Sequence, residues 1–347
     1  MTIRQTFAIA LWCCASGLVL ASALTVAMRT ERSRHRRRCE RAITRWRPVL
    51  LSWTDGRKAT IDIPTRRRDR HDLIEVSIHL LPKLRGADRD HVVGALHRIG
   101  IAETLARDAR SRRSLLRLRA AIAMDACASP ADVATLIELL RDRNRQIRHV
   151  AARALGRIGD PAATRSLMRG MIDRTIATNT ASMAIVRIGS GAIPALRAWL
   201  GHEDVRCRRT AAELLGHLGA DDAESELVSC LDDTDPSVRL AAASALGRLG
   251  LPSSVEHIMS QLRSELAAPT FVGREGRLAE SVCVTQAEAL GLIGDRRAIP
   301  VLESALARST RISTAAAGAL QQMGARRSST SKRKHEVAGF GASVTNG

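Results

Sequence analysis

Aromatic side chains are scarce in this chain: 347 residues contain no tyrosine, three phenylalanines and four tryptophans. Handling of nucleic-acid bases relies on stacking against such rings, so this composition speaks against nucleic acid as a partner. The motifs of common catalytic chemistry are missing too. No H-E-x-x-H, G-x-S-x-G, phosphate-binding Walker loop or dinucleotide fingerprint occurs. The seven cysteines, Cys13, Cys14, Cys39, Cys127, Cys207, Cys230 and Cys283, form no C-x-x-C pair and are read as reduced thiols filling small positions. His91 and His97 fall on different faces of a helix and make poor ligand partners. No catalytic residue, metal or cofactor is expected.

What the chain does have is self-similarity. Asp235 to Gly250, DPSVRLAAASALGRLG, recurs with closing glycines at Gly159, Gly189, Gly219, Gly250, Gly294 and Gly324, spaced 30, 30, 31, 44 and 30 residues apart. Two helical runs within a period of this length mark a helical solenoid. Asp235 suits a helix cap and Pro236 the first helical position, where its missing N–H costs nothing. Val238, Ala242, Leu246 and Leu249 share one face of the helix that follows, and Gly250 ends it in a left-handed cap. Ala223, Leu227, Val228 and Leu231 form the apolar face of the preceding helix.

The pattern D-P-x-V-R-x-x-A-A-x-A-L-G-x-L-G resembles the HEAT repeat, in the short bacterial form found in phycobilisome-lyase-type repeats. Arg148, Arg208 and Arg239 match the repeat's arginine, each eight residues before Gly156, Gly216 or Gly247. The resemblance implies an all-α fold, a right-handed α-α superhelix of about eight helical hairpins over residues 72–324. It implies a binding surface more than a reaction. One HEAT-type family, the deoxyhypusine hydroxylases, binds two irons through repeated His-Glu dipeptides. Here such dipeptides occur only as His202-Glu203 and His335-Glu336.

Thr6 to Met28 is a run of 23 uncharged positions. As a helix it spans about 35 Å, enough for a bilayer core of ~30 Å. A cleaved signal peptide ending at Ala21-Ser22-Ala23 is the alternative. The arginines from Arg29 to Arg47 resist translocation and favour an uncleaved anchor, with residues 1–5 outside and the solenoid in the cytoplasm. The same run suits anionic lipid head groups. Residues 29–70 carry fifteen basic and five acidic side chains, whereas residues 71–324 carry 33 and 29. The net charge of +19 therefore sits mostly outside the repeats. Residues 29–71 read as a basic linker and cap, in which Trp46, Val49, Leu50, Leu51 and Trp53 either close the first repeat or lie at the membrane interface. Residues 325–347 read as a disordered basic tail.

Two candidate binding features follow. Arg157, Arg187, His217 and Arg248 occupy one register position in successive repeats and form a ladder that either engages an acidic partner or is simply solvated. The long interval before Gly294 places an insertion at residues 264–281, with Phe271, Arg274 and Arg277, read as a surface loop that is either neutral or part of the binding face. Together these features lead to the expectation of a single-pass, membrane-anchored, non-enzymatic scaffold. It would hold a protein partner at the cytoplasmic face of the cell membrane, in envelope polysaccharide synthesis or signalling. The alternative is a HEAT-type enzyme, either a lyase or metal-dependent.

Overall fold

The computed structural model describes residues 40–54, 66–267 and 273–324, with a few isolated positions before them. Every regular element among these is helical. The chain divides into two compact units, Met1–Thr135 and Leu136–Gly347.

In the first unit, α1 covers residues 40–52, followed by α2 (Arg67–Leu80), α3 (Gly86–Arg98), α4 (Ile101–Ala109) and α5 (Ser114–Cys127). Trp46, Leu50 and Trp53 are buried, so this segment closes a core instead of presenting its rings outward. α4 packs on α5 as a hairpin, while α2 lies on α5 and α3 on α4. Pairing here is less regular than the uniform hairpins expected from residue 72 onward.

α6 (Val133–Leu139) bridges the boundary between the units. The second unit continues with α7 (Arg145–Ile158), α8 (Ala163–Ile172), α9 (Thr178–Ile188), α10 (Ile193–Leu200), α11 (Val205–Leu218) and α12 (Glu224–Ser229). It ends with α13 (Pro236–Leu249), α14 (Val255–Leu266), α15 (Gly273–Ile293), α16 (Ile299–Ala305) and α17 at residues 310–324. The odd-numbered helices from α7 are the second helices of the repeats. The starts of α7, α11 and α13 are capped as the sequence suggests: Asp235 Oδ1 accepts from the Ser237 N–H at 2.8 Å, and Asn144 and Asp204 act alike. Gly250 closes α13 at φ 69°, a left-handed conformation that a side chain would strain.

The repeat's arginine is a clamp. Arg208 Nη1 donates to the carbonyls of His202 and Glu203 in the turn before its own helix, and Arg148 and Arg239 reach their own turns the same way. The rest of the guanidinium ties down the next repeat, pairing Arg208 with Asp233 and Arg239 with Glu265. Burial is the largest single influence on Asp233 and raises its pKa, but hydrogen bonds from Arg208 and the Asp235 N–H, with the charges of Arg208 and Arg239, together outweigh it, and the carboxyl stays below its ordinary value. Arg148 ends differently, donating from Nε to the Thr175 carbonyl at 2.6 Å.

Glycine inside the second helices sets how closely they stack. A Cβ built on Gly156, Gly216, Gly247 or Gly291 would stand only 2.6 to 2.8 Å from the Cα of Ala184, Ala245, Ala289 or Ala319 on the next second helix. The Leu-Gly step is therefore a contact surface: glycine on one helix receives alanine from its neighbour.

Two expectations need correction. The excess residues at 264–281 mostly lengthen helices. α15 runs for 21 residues from Gly273, against 14 for α7, α11 and α13. Arg-Glu-Gly-Arg-Leu-Ala-Glu is rich in helix formers, and its one glycine does not stop the helix. The expected membrane-spanning segment Thr6–Met28 lies almost wholly outside the described residues. Among those described, no helix is long and apolar enough to cross a membrane. α15, long enough by length, carries Arg274, Glu275, Arg277, Glu280 and Glu288.

The packing makes opposite predictions for two glycines. Gly247→Ala should lower stability by about 1–3 kcal/mol despite its helix propensity, because the added carbon overpacks against Ala289. Gly318→Ala in α17, where nothing lies within 4 Å, should raise it by about 0.5–1 kcal/mol. Denaturant melts check both, and a neutral Gly247→Ala would contradict the contact.

Candidate functional site

The ladder residues are all exposed, near the C-terminal ends of α7, α9, α11 and α13. Along it, Arg248 Nη1 donates to the His217 ring, 2.7 Å from Nδ1. Since a guanidinium only donates, the ring nitrogen it meets is an acceptor. In the insertion, Arg277 is exposed on α15, while Phe271 and the side chain of Arg274 lie outside the described residues.

Sequence reasoning missed the place where the repeat breaks down. The α8–α9 unit lacks all three devices that define its neighbours. Its cap position holds Ala177, with no side-chain hydrogen bond at the start of α9. The clamp arginine is replaced by Thr178. The interior glycine is replaced by Val186, and the alanine due to meet it on α11 is Leu214. Two enlarged residues thus stand where glycine and alanine meet elsewhere. Few residues of α9 come close to α11, in contrast to the long contact of α9 with α7 or of α11 with α13.

Three adjoining cavities lie at this irregular repeat. One of about 330 Å³ sits between α8 and α11, lined by Met168, Met171, Ile176, Arg206, Cys207 and Arg209 among others. It shares Ile176 and Ala177 with a second, of about 570 Å³, over Arg145, His149 and the start of α9. This one shares His149, Asn179 and Thr180 with a third, of about 270 Å³, floored by Met183 and Ala184 and edged by Arg153 and Arg187. No carboxylate lines any of them. His149 Nδ1 lies 3.1 Å from Thr180 Oγ1, joining α7 to α9 across the groove. The turn before α9 is held from below by Arg148, and Arg174 within it takes a positive φ of 53°.

The groove offers binding groups but no assembled catalytic set. Cys207 is its only thiol. Burial first, then the Asp204 charge, pushes it up to about 11, so it stays a protonated thiol at neutral pH. The other described cysteines, Cys127, Cys230 and Cys283, are buried and unbridged. The His202-Glu203 dipeptide serves the turn before α11. The His202 ring stacks on Trp199 with centroids 4.9 Å apart, and its Nδ1 accepts from the Asp204 N–H at 3.0 Å. His335-Glu336 lies outside the described residues. Among those described, no three His, Cys, Asp or Glu side chains gather as metal ligands, so they do not fit a two-iron centre built from repeated His-Glu pairs.

Comparison with known proteins matches this architecture. The HEAT repeats model fits residues 101–185 and 193–269, and the PBS lyase HEAT-like repeat model fits residues 287–308. The chain carries HEAT repeats. Among curated proteins, a deoxyhypusine hydroxylase from Eremothecium gossypii is 28% identical over 225 residues, which are 54% of this chain and 66% of that protein. The matched region therefore spans just under two thirds of the relative's length. Among solved structures, human deoxyhypusine hydroxylase in complex with glycerol is 20% identical, covering 73% of this chain and 96% of the other, with a TM-score of 0.31. The CpcE and CpcF complex of phycocyanin lyase from Nostoc is also 20% identical, covering 78% and 98%, with a TM-score of 0.28. At these scores neither structural likeness bears on activity.

The sequence relative, an enzyme, overturns the expectation of a non-enzymatic scaffold, and the expected placement at the cell membrane is corrected with it, no helix among the described residues being long and apolar enough to cross a bilayer. The physical reason for the error is that repeat signatures record stacking, which scaffolds and enzymes share.

The state of Cys207 can be checked directly. Iodoacetamide at neutral pH should leave it unmodified in the folded chain, with labelling rising only on unfolding or as pH approaches about 11. Rapid labelling at neutral pH would show a thiolate in the groove.

Proposed function

We propose that the chain is a HEAT-repeat enzyme that modifies a side chain carried by another polypeptide, which it holds along the groove of its irregular repeat. The observation that carries this reading is the 28% identity with deoxyhypusine hydroxylase across 225 residues. The groove supports it as a binding site: its cavities are within the size range that takes ligands, and it lies where the repeat rule fails. An arginine-edged groove repels an amine-bearing side chain such as deoxyhypusine. It therefore suits the acceptor polypeptide flanking the reacting group better than the group itself.

Residues of this chain hold the acceptor in the following way. Arg145 and Arg187 attract its carboxylates, Met183 covers its apolar atoms, and His149 with Thr180 keeps α7 and α9 in register beneath it. The described residues supply no metal ligand set.

The test is turnover. The purified full chain is incubated in air, with and without added ferrous iron, with a polypeptide bearing deoxyhypusine, and the acceptor's mass is followed. A change of mass in more acceptor molecules than enzyme molecules is expected. An acceptor that stays unmodified would contradict the reading.

A further inference from the structure

From the groove we infer a more specific property: it selects acidic, extended polypeptide segments that carry an apolar side chain, seating that side chain on Met183 between α7 and α9. The inference rests on the proposed enzyme reading only for the purpose of the binding, and the charge pattern supports it independently. Residues 143–159 contain five arginines and no carboxylate, and residues 174–202 contain three arginines and no carboxylate. In a repeat body that is otherwise nearly balanced, this is a local excess of one sign.

The excess is also concentrated at one end of the groove. At the α11 end, Arg206 pairs with Asp204 at 2.7 Å and Arg209 approaches Glu213 at 3.6 Å. At the α7–α9 end, Arg145 and Arg187 form no ion pair among the described residues. Arg145 and Arg187 line adjoining cavities, with His149 common to both. Between them Met183 is 58% exposed, a large apolar surface surrounded by cationic groups. Methionine is unbranched and polarisable, so it adapts to apolar side chains of differing shape. An apolar floor with a cationic rim is complementary to a carboxylate-rich segment with an apolar anchor.

A nucleic acid is the other polyanion that such a rim attracts. It is disfavoured because no Phe, Tyr or Trp lines the three cavities, leaving bases without a stacking surface.

Fluorescence anisotropy with the full-length chain tests the proposal. The probes are a labelled peptide of aspartates and glutamates around one central leucine, the same peptide with serine for leucine, and a single-stranded oligonucleotide of equal charge. Saturable binding of the leucine peptide is expected, weaker for the serine peptide and weakest for the oligonucleotide. Arg145→Glu combined with Arg187→Glu should weaken the leucine peptide about tenfold or more and flatten its salt dependence. Met183→Asp should weaken it without removing the salt dependence. Arg248→Glu changes the same charge on α13, outside the groove, and should leave affinity unchanged; circular dichroism melts verify that each variant is folded. Equal binding of the oligonucleotide, equal binding of the serine peptide, or affinity unmoved by the Arg145 and Arg187 reversals would each overturn the proposal. Because no reaction is involved, peptide binding without turnover would sink the enzyme reading alone, and turnover without peptide selectivity would sink this one alone.

Discussion

Close approach of one second helix to the next is the constraint on which the second unit depends. The four helical glycines at Gly156, Gly216, Gly247 and Gly291 leave no room for even a methyl group against the facing alanines. That proximity buries the flanking apolar rows, including Leu155, Leu215, Leu246 and Leu290. It also brings the next repeat within reach of Arg208 and Arg239, whose guanidinium groups bond carbonyls of their own turns and a carboxylate of that repeat at once. Backbone groups in the turns, which would otherwise need water or another partner, are satisfied by this clamp.

Against such uniformity the α8–α9 unit stands apart, and its departures act together. Val186 and Leu214 replace the small pair, Ala177 replaces the cap, and Arg148 finds a carbonyl where its counterparts find carboxylates. Separation of α9 from α11 opens the cavity between α8 and α11, whereas the cavities over α7 and α9, helices that still meet at Gly156 and Ala184, owe their cationic edge to arginines with no carboxylate among their lining residues. A regular array would present closed helix rows here.

Much of the local structure is legible from the sequence alone. Asp235 caps, Pro236 begins and Gly250 ends α13 because each acts on its own few residues. Helix faces such as Val238, Ala242 and Leu246 follow from spacing and are buried as expected. What required the structure is contact between repeats. The role of glycine in the Leu-Gly step depends on which residue of the next helix stands opposite. The clamp depends on a turn six residues upstream and another about 25 residues downstream. The sequence places a loop at 264–281 because a broken period does not reveal whether the added residues are helical, and most of them lengthen helices. The ladder at Arg157, Arg187, His217 and Arg248 was visible as positives at one register. The groove was not, since it is defined by residues that are missing: a cap, a glycine and carboxylates.

Hydrogen exchange along the full chain tests the link between small-residue contacts and the groove most directly. If the glycine–alanine contacts hold the stack closed, amides of α13 and central α15 should be the most protected. Those from the turn before α9 through the start of α11 should exchange markedly faster, with the change falling at the Val186 and Leu214 positions. Protection that runs uniformly from α7 to α15 would contradict the account, because the irregular repeat would then be packed as tightly as its neighbours.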